Sequence, residues 1–267
     1  MRWEQREAAM PFRDRLQTNR FEYKYLIDEA QAHAIRAYIR RVLVPDPFAR
    51  SAADCRYFVH SLYCDSPSLS LYWATQHGLK NRFKLRVRFY DDEPGHPAFF
   101  EIKRRVSGVI IKSRCMLPKP TARRLLFGGA TPADVVNEAP NQRQFAALQE
   151  FWNLYQTLSA RPIAYVSYTR EAYVHPTSND VRLTFDRGLM AGRYDPAHCL
   201  HVPEKQRRAD LPRVLLELKF TDRYPQWMAP LAASLNLHRI SFAKYCCCLD
   251  ALCAGRPIEG RFFQEVA

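Results

Sequence analysis

The sequence predicts an α+β protein built on an eight-stranded antiparallel β-barrel with helices packed outside it. Three observations support this fold. Apolar and polar residues alternate at every second position in eight segments. Helical patterns interrupt these segments, and the polar positions within them are strongly cationic. Because eight antiparallel strands can close around one small ligand, the charged strand faces are expected to line the barrel interior.

Eight segments have the alternation that is typical of half-buried strands. The predicted strands are residues 20–27, 56–63, 82–90, 98–105, 109–117, 162–174, 181–187 and 213–220. The fourth and fifth are joined through Val106-Ser107-Gly108, which predicts a tight hairpin turn.

The predicted helices can cover the apolar strand faces. They are residues 28–43, 67–77, 141–159, about 225–235 and 242–253. Asp28 is the predicted N-cap of the first helix, and Pro67 occupies the favoured first position of the second. Arg36 and Arg40 lie on the side of the first helix away from its apolar residues, so we expect both to face solvent. The polar stretch 191–212 is predicted to be an irregular surface loop.

Length and charge limit the domain organisation and the kind of partner. The chain has 267 residues, and 40 Lys and Arg exceed 27 Asp and Glu, for a net charge of +13. This excess favours a polyanionic partner. Pro and Gly are scattered, so we expect a single domain over residues 18–255, with an N-terminal extension at 1–17 and a tail at 256–267.

The first residues are charged and contain no apolar run, and no segment reaches the length of a membrane-spanning helix. We therefore expect a cytoplasmic protein that does not insert into a membrane, with its eight cysteines reduced. The run 246–248 lies in an apolar helix and predicts buried thiols. His198-Cys199-Leu200-His201 lacks a second pair of ligands, which favours a loop over a zinc site.

The charged strand faces are the strongest functional signal. A solvated sheet face normally mixes both signs, and like charges that lie opposite one another destabilise a sheet. Here four acids, Glu22, Glu101, Asp186 and Glu217, accompany thirteen cations. The cations are Arg20, Lys24, Arg82, Lys84, Arg86, Arg88, Lys103, Arg105, Lys112, Arg114, Arg170, Arg182 and Lys219. An anionic ligand would offset this repulsion.

Six short motifs stand in order along the chain. They are Arg20-Phe-Glu22-Tyr-Lys24-Tyr, Ser61-Leu-Tyr-Cys-Asp65-Ser-Pro67, Lys84-Leu-Arg86-Val-Arg88-Phe-Tyr, Phe100-Glu101-Ile-Lys103-Arg104-Arg105, Leu183-Thr-Phe-Asp186 and Leu216-Glu217-Leu-Lys219-Phe. Together they resemble the VTC domain, the catalytic domain of the vacuolar transporter chaperone polyphosphate polymerase, within the triphosphate tunnel metalloenzymes and their CYTH relatives. The resemblance runs from about residue 18 to about residue 253.

This resemblance implies an enzyme that transfers the γ-phosphoryl group of ATP onto a polyphosphate chain held in an eight-stranded tunnel. The catalytic cations that it implies are Lys24, Arg86, Arg88, Lys103, Arg170, Arg182 and Lys219. Further expected phosphate ligands are Arg20, Lys84, Lys112, Arg114 and, near a tunnel mouth, Lys244. Glu217 would coordinate Mn²⁺ or Mg²⁺, and its alternative role is a structural ion pair.

Departures from the family pattern bear on the reaction. Ala243 stands where the family often has a serine before Lys244, and Arg20 replaces the first acid of the hydrolytic relatives' E-x-E-x-K motif. Fewer acids favour a polymerase over a triphosphatase. A non-catalytic polyphosphate-binding module is a third hypothesis.

Nucleic acid is disfavoured as a partner because the cations share strand faces with one another instead of with aromatic residues. Coupling of synthesis to transport would require a separate membrane partner.

Overall fold

The computed structural model describes residues 20–50, 54–178, 180–209 and 213–253, so the predicted extension at 1–17 and tail at 256–267 lie outside the described residues. The chain divides into two compact units. The described residues of the first unit lie within the ranges Met1–Phe58, Tyr168–Gly188 and Leu211–Phe242. Those of the second unit lie within the ranges Val59–Ser167, Leu189–Asp210 and Ala243–Ala267.

All eight predicted strands are confirmed, and two short strands accompany them. The strands are Arg20–Ile27 (β1), Val44–Pro45 (β2), Arg56–Asp65 (β3), Arg82–Phe89 (β4), Pro97–Val106 (β5), Val109–Pro118 (β6), Arg161–Val174 (β7), Val181–Arg193 (β8), Gln206–Arg208 (β9) and Val214–Thr221 (β10). Strand β8 is longer than predicted because it continues to Arg193, where its last residues pair with β9.

The five predicted helices are present with shorter bounds. The helices are Glu29–Ile39 (α1), Pro47–Arg50 (α2), Ser70–Gln76 (α3), Lys119–Phe127 (α4), Gln142–Thr157 (α5), Met228–Ser234 (α6) and Lys244–Cys253 (α7), with 3₁₀ turns at Pro132–Glu138 and Pro196–His198. The sequence pattern did not indicate α2, which has only four residues, or α4, which follows β6 directly.

The predicted start of the second helix at Pro67 is wrong. Leu69 has a φ of 56°, which is left-handed backbone, and α3 begins only after it. The Asp65 carboxylate accepts hydrogen bonds from the backbone N–H groups of Leu71 and Tyr72, both at 2.9 Å. These bonds satisfy donors that the first turn of a helix leaves without partners. By contrast, Asp28 caps α1 as predicted, in a reciprocal capping box with Gln31.

In the first unit the strand order is β1-β10-β8-β7, with β2 paired to β7. The β1–β10 and β10–β8 ladders are antiparallel. Alternate residues of β10 point to one face, where Leu216 and Leu218 pack with Ile35 and Ile39 of α1 in a buried apolar cluster. The opposite face carries Glu217 and the other charged residues, as the alternation predicts.

In the second unit the order is β7-β3-β4-β5-β6, with antiparallel β3–β4, β4–β5 and β5–β6 ladders. The apolar faces of β4 and β5 pack against α5, whose Phe151 meets Phe100 edge to face at 5.1 Å. The predicted hairpin is confirmed: Ser107 and Gly108, at φ 48° and 93°, form a two-residue turn that matches the twist of the strands.

The antiparallel α+β fold class is therefore confirmed. Among the described residues, the first unit's series of ladders ends at β1, and the second unit's series ends at β6. In the described parts of the chain, no helix has both the length and the apolar character that crossing a membrane requires.

The prediction of a surface loop over 191–212 is wrong in part. Strands β8 and β9 enter this stretch, and Cys199 and Leu200 are buried within the second unit's core. His198 pairs with Asp195 at 2.8 Å, and the described residues contain no group of three metal-ligating side chains. All eight cysteines are free thiols, and Cys246 and Cys248 are buried on α7 as predicted.

Candidate functional site

A charged cluster in the first unit forms where β1 and β10 pair. Glu22 lies opposite Lys219, and Lys24 lies opposite Glu217. Lys24 Nζ is 3.2 Å from Glu22 Oε1 and 3.8 Å from Glu217 Oε1. Lys219 Nζ is 3.2 Å from Glu217 Oε2 and 4.0 Å from Glu22 Oε2. Each ammonium therefore bridges two carboxylates that would otherwise repel each other.

Arg170 of β7 joins this first-unit cluster. Its guanidinium donates two hydrogen bonds of 2.7 Å to the two oxygens of Asp186, and Nη2 lies 3.4 Å from Glu217 Oε2. Burial alone would lower the pKa of Arg170, but Asp186, Tyr168 and Glu217 together outweigh burial and hold the pKa well above its ordinary value. The cluster thus balances three cations with three carboxylates: Lys24, Arg170 and Lys219 with Glu22, Asp186 and Glu217.

Two neighbours extend the polar face of the first unit. Arg182 donates to Asp46 Oδ2 at 2.6 Å and to the Tyr57 hydroxyl at 3.2 Å, so it lies in a separate ion pair. Thr184 lies opposite Glu217 in the β8–β10 ladder and is fully buried. Its hydroxyl has no hydrogen-bond partner among the described residues.

The second unit holds a different cluster, centred on the buried carboxylate of Glu101. Arg86 donates to Glu101 Oε2 through Nε at 2.8 Å and Nη2 at 2.6 Å. Lys112 Nζ lies 2.6 Å from Oε1, with Arg114 at 3.6 Å and Arg88 at 4.0 Å from the same carboxylate. Four cationic side chains thus surround one carboxylate in this cluster.

Burial alone would raise the pKa of Glu101. The surrounding cations, Lys112 first and then Arg86 and Arg88, outweigh burial and hold that pKa well below its ordinary value. Glu101 is therefore ionised at neutral pH.

A row of like charges adjoins this second-unit cluster. Lys84 lies opposite Lys103 in the β4–β5 ladder, and Lys103 lies opposite Lys112 in the β5–β6 ladder. Arg82 similarly lies opposite Arg105. Like charges that face each other across strands destabilise a sheet, so this arrangement is one that a bound polyanion would stabilise.

The structure brings eight of the thirteen predicted site residues into these two clusters. The first-unit cluster contains Lys24, Arg170, Glu217 and Lys219. The second-unit cluster contains Arg86, Arg88, Lys112 and Arg114. Lys84 and Lys103 belong to the lysine row, and Arg182 pairs with Asp46. Arg20 stands opposite Thr221 at the start of β1, and Lys244 is the first residue of α7.

Four site members were not among the predicted site residues. Glu22, Asp186 and Glu101 complete the two clusters, and their positions among alternating cations were a visible signal. The fourth is Tyr63, which lies opposite Arg86 in the β3–β4 ladder. Its signal was the alternation with Ser61, which places both side chains on the charged side of β3.

The carboxylates of Glu22 and Glu217 in the first unit are the oxygen ligands available to the expected divalent cation. Glu22 and Glu217 share two lysine partners, so a cation bound by both would have only two protein carboxylates. No group of three or more His, Cys, Asp or Glu in the described ranges could hold a metal. Mg²⁺ is commonly bound by one or two carboxylates together with substrate phosphates, so these residues fit a cation that arrives with phosphate.

The first unit thus carries a cluster in which acids balance cations, and the second unit carries a cluster that is rich in cations. Residues 19–253 match the VTC domain, and the chain belongs to this family. No curated protein matches the chain.

Solved structures with similar folds include three with low sequence identity. One is a protein of Bacillus halodurans proposed as an adenylate cyclase, with 12% identity, coverage of 84% of this chain and 95% of that chain, and a TM-score of 0.46. Another is the PH1819 protein of Pyrococcus horikoshii OT3, with 10% identity, 84% and 92% coverage and a TM-score of 0.41. A third is a Hippeastrum protein, proposed as an adenylyl cyclase, with a dominant triphosphatase activity; it has 11% identity, 86% and 93% coverage and a TM-score of 0.41. The assignment to the VTC family rests on the match to the family model and not on the similarity to these three structures.

Proposed function

We propose that this protein is a divalent-metal-dependent polyphosphate polymerase, which transfers the γ-phosphoryl group of ATP onto a polyphosphate chain. The observation that carries the proposal is the Glu101 cluster of the second unit. Its four cations exceed its one carboxylate, and the lysine row adds further positive charge beside it. A chain of phosphates has the repeated negative charge that such an array requires.

The chemistry of phosphoryl transfer suits these residues. The reaction needs alignment of the phosphates and neutralisation of charge on their oxygens, with little covalent chemistry from the protein. Arg86, Arg88 and Arg114 offer planar guanidinium groups that can bind two phosphate oxygens at once. Lys112 offers a compact ammonium. These side chains would hold the phosphates in register without forming a covalent intermediate.

The first-unit cluster would serve the reacting phosphates. Lys24 and Lys219 form ion pairs with the carboxylates of Glu22 and Glu217. When a divalent cation binds those carboxylates, the two ammonium groups can turn toward phosphate oxygens. Glu217 and Glu22 would hold that cation, Mn²⁺ or Mg²⁺, which supplies Lewis-acid neutralisation of phosphate charge when bound. Asp186 keeps Arg170 fixed through two hydrogen bonds. ATP and polyphosphate as ligands, and a cytoplasmic location, are parts of the same proposal.

A triphosphatase is the second candidate. Glu22 favours it, because a carboxylate beside Glu217 could accept a proton from water as well as hold a cation. Against it, Glu22 lies 3.2 Å from Lys24 Nζ, and a carboxylate that is stabilised by an ammonium is a weaker base. A non-catalytic polyphosphate-binding module is the remaining alternative, and Glu217 argues for the enzymes.

One incubation separates these three functions. The purified protein is mixed with ATP and Mn²⁺, and the products are resolved into polyphosphate, ADP and free phosphate. A polymerase yields ADP with an equal amount of phosphate in long chains. ADP with free phosphate alone identifies a triphosphatase, and unchanged ATP together with measurable triphosphate binding identifies a binding module. The Arg40→Ala protein is incubated in parallel as a control and should give the same products as the parent, since Arg40 is an exposed arginine at the end of α1.

A further inference from the structure

Tyr63 contacts Arg86 of the second-unit cluster, and its position fits a direct contact with a bound ligand. Its side chain is on the same face of β3 as Ser61, and these two residues lie opposite Arg86 and Arg88. The residue is 5% exposed. Tyr63 is therefore a buried side chain that faces the predicted phosphate-binding arginines.

The position of the Tyr63 ring is fixed from two sides. The ring stacks on Tyr245 of α7, with centroids 4.8 Å apart and an interplanar angle of 12°. Tyr245 is itself held by a 2.8 Å hydrogen bond from its hydroxyl to Asp65 Oδ2. On the other side, Arg86 Nη1 donates to the Tyr63 oxygen at 3.1 Å. The hydroxyl is thus oriented before any ligand binds.

In the described parts of the chain, the hydrogen of the Tyr63 hydroxyl has no acceptor. A phenol can donate one hydrogen bond and accept others, whereas a guanidinium can only donate. The contact with Arg86 therefore uses Tyr63 as the acceptor, and within the described residues no group accepts the phenolic hydrogen. A buried donor without an acceptor is costly, so this arrangement is expected where a ligand supplies the missing oxygen.

We propose that Tyr63 donates a hydrogen bond to a phosphate oxygen of the chain that Arg86 binds. This inference rests on the proposed function. Three neighbouring cations, Arg86, Lys84 and Arg88, outweigh burial, which acts in the opposite direction, and lower the pKa of Tyr63. A phenol made more acidic in this way is a stronger hydrogen-bond donor to an anionic oxygen.

The test compares two Tyr-to-Phe variants that each remove one hydroxyl from the same pair of stacked rings. Tyr63→Phe removes the proposed phosphate donor, and Tyr245→Phe removes the hydroxyl that binds Asp65. The dissociation constant of inorganic triphosphate is measured by calorimetry on the full chain, without metal, at two salt concentrations. A hydrogen bond to a charged group corresponds to roughly a tenfold to hundredfold loss of affinity.

We expect Tyr63→Phe to weaken triphosphate binding by at least roughly tenfold while the salt dependence stays as in the parent, because no charge has been removed. Tyr245→Phe should lower the melting temperature and leave the dissociation constant within about twofold of the parent. Equal affinity of Tyr63→Phe and the parent would refute the role of the hydroxyl. A weaker but less salt-dependent complex, as expected from loss of an Arg86 contact, would show that Tyr63 only positions Arg86 and would also refute direct donation.

If Tyr63→Phe does not fold, a crystal structure of the parent protein with triphosphate decides the question. Direct donation requires a phosphate oxygen at about 2.5–2.7 Å from the Tyr63 hydroxyl, and a bound triphosphate without that contact refutes the inference. A parent protein that binds no triphosphate at all would instead overturn the proposed function, so the two failures are distinguishable.

Discussion

Replacement of Glu101 by Gln should expose how much of the second unit's stability depends on one carboxylate. Glu101 is fully buried and lies within 4.0 Å of four cationic side chains. The substitution keeps the shape of the side chain and removes its charge, which leaves Arg86, Arg88, Lys112 and Arg114 to repel one another. Removal of one partner from a buried ion pair costs roughly 3–5 kcal/mol.

A bound polyanion should restore part of this loss. A ligand that binds only the folded state contributes about 2.7 kcal/mol at 100 times its dissociation constant. Without ligand, we expect the melting temperature of Glu101→Gln to fall by roughly 6–20 °C, since 1 kcal/mol corresponds to about 2–4 °C in a chain of this size. With saturating triphosphate, the gap between variant and parent should narrow, because the ligand replaces the missing negative charge.

The assay is thermal unfolding followed by circular dichroism at low salt, with and without triphosphate. Glu150→Gln is the matched control, because Glu150 pairs with Arg104 at 2.8 Å on the surface of α5 and its side chain is 46% exposed. A surface pair of this kind contributes about 0–1 kcal/mol. If Glu101→Gln and Glu150→Gln lose the same stability, or if triphosphate stabilises them no more than orthophosphate does, the cluster is not a polyanion site and our reasoning is wrong.

Three further predictions concern single side chains. Arg86→Ala should lower ATP consumption by roughly 10²–10³-fold, whereas Arg40→Ala should stay near the parent rate; equal losses that added salt abolishes would indicate a diffuse basic surface. Glu217→Gln should abolish metal-dependent turnover and lower the melting temperature, since Lys24, Arg170 and Lys219 lose a shared partner; turnover at the parent rate would remove Glu217 from the metal role. Burial lowers the pKa of His60 to about 4 in the folded protein. As the pH falls from about 6.5 to 4, the unfolded chain binds a proton at this residue that the folded protein does not bind, so the free energy of unfolding decreases over that window. His60→Asn should flatten this part of the unfolding free-energy profile, and an unchanged profile would contradict the burial argument.

Residue alternation was enough to predict the strands and the sign of their polar faces. The reason is that side chains on a strand point alternately to two faces, so one buried face fixes which residues share the other. The hairpin between β5 and β6 also followed from local sequence, and its two-residue turn fixes the register that places Lys103 opposite Lys112. For that part of the second-unit site, sequence alone contained the necessary information.

Ion pairing between distant segments could not be predicted in the same way. Arg36 was expected to face solvent, but it donates to both oxygens of Glu171, 135 positions away, at 2.6 and 3.0 Å. Arg182 similarly meets Asp46, which precedes α2, a helix that the sequence pattern did not indicate. Alternation shows which face of an element is polar, whereas the partner on another element depends on packing. For this reason Arg40, and not Arg36, is the suitable control arginine.

The two clusters differ in the ratio of cations to carboxylates, and this difference gives each a different requirement for phosphate binding. In the first unit, three carboxylates already neutralise three cations, so phosphate can bind there only if another cation takes over part of the carboxylate charge. This requirement would couple phosphate binding to a divalent metal. In the second unit, one carboxylate neutralises one of four cations, and phosphate can bind without that exchange. Under the proposed function, triphosphate binding to the second-unit cluster should therefore be independent of metal, whereas turnover should require it.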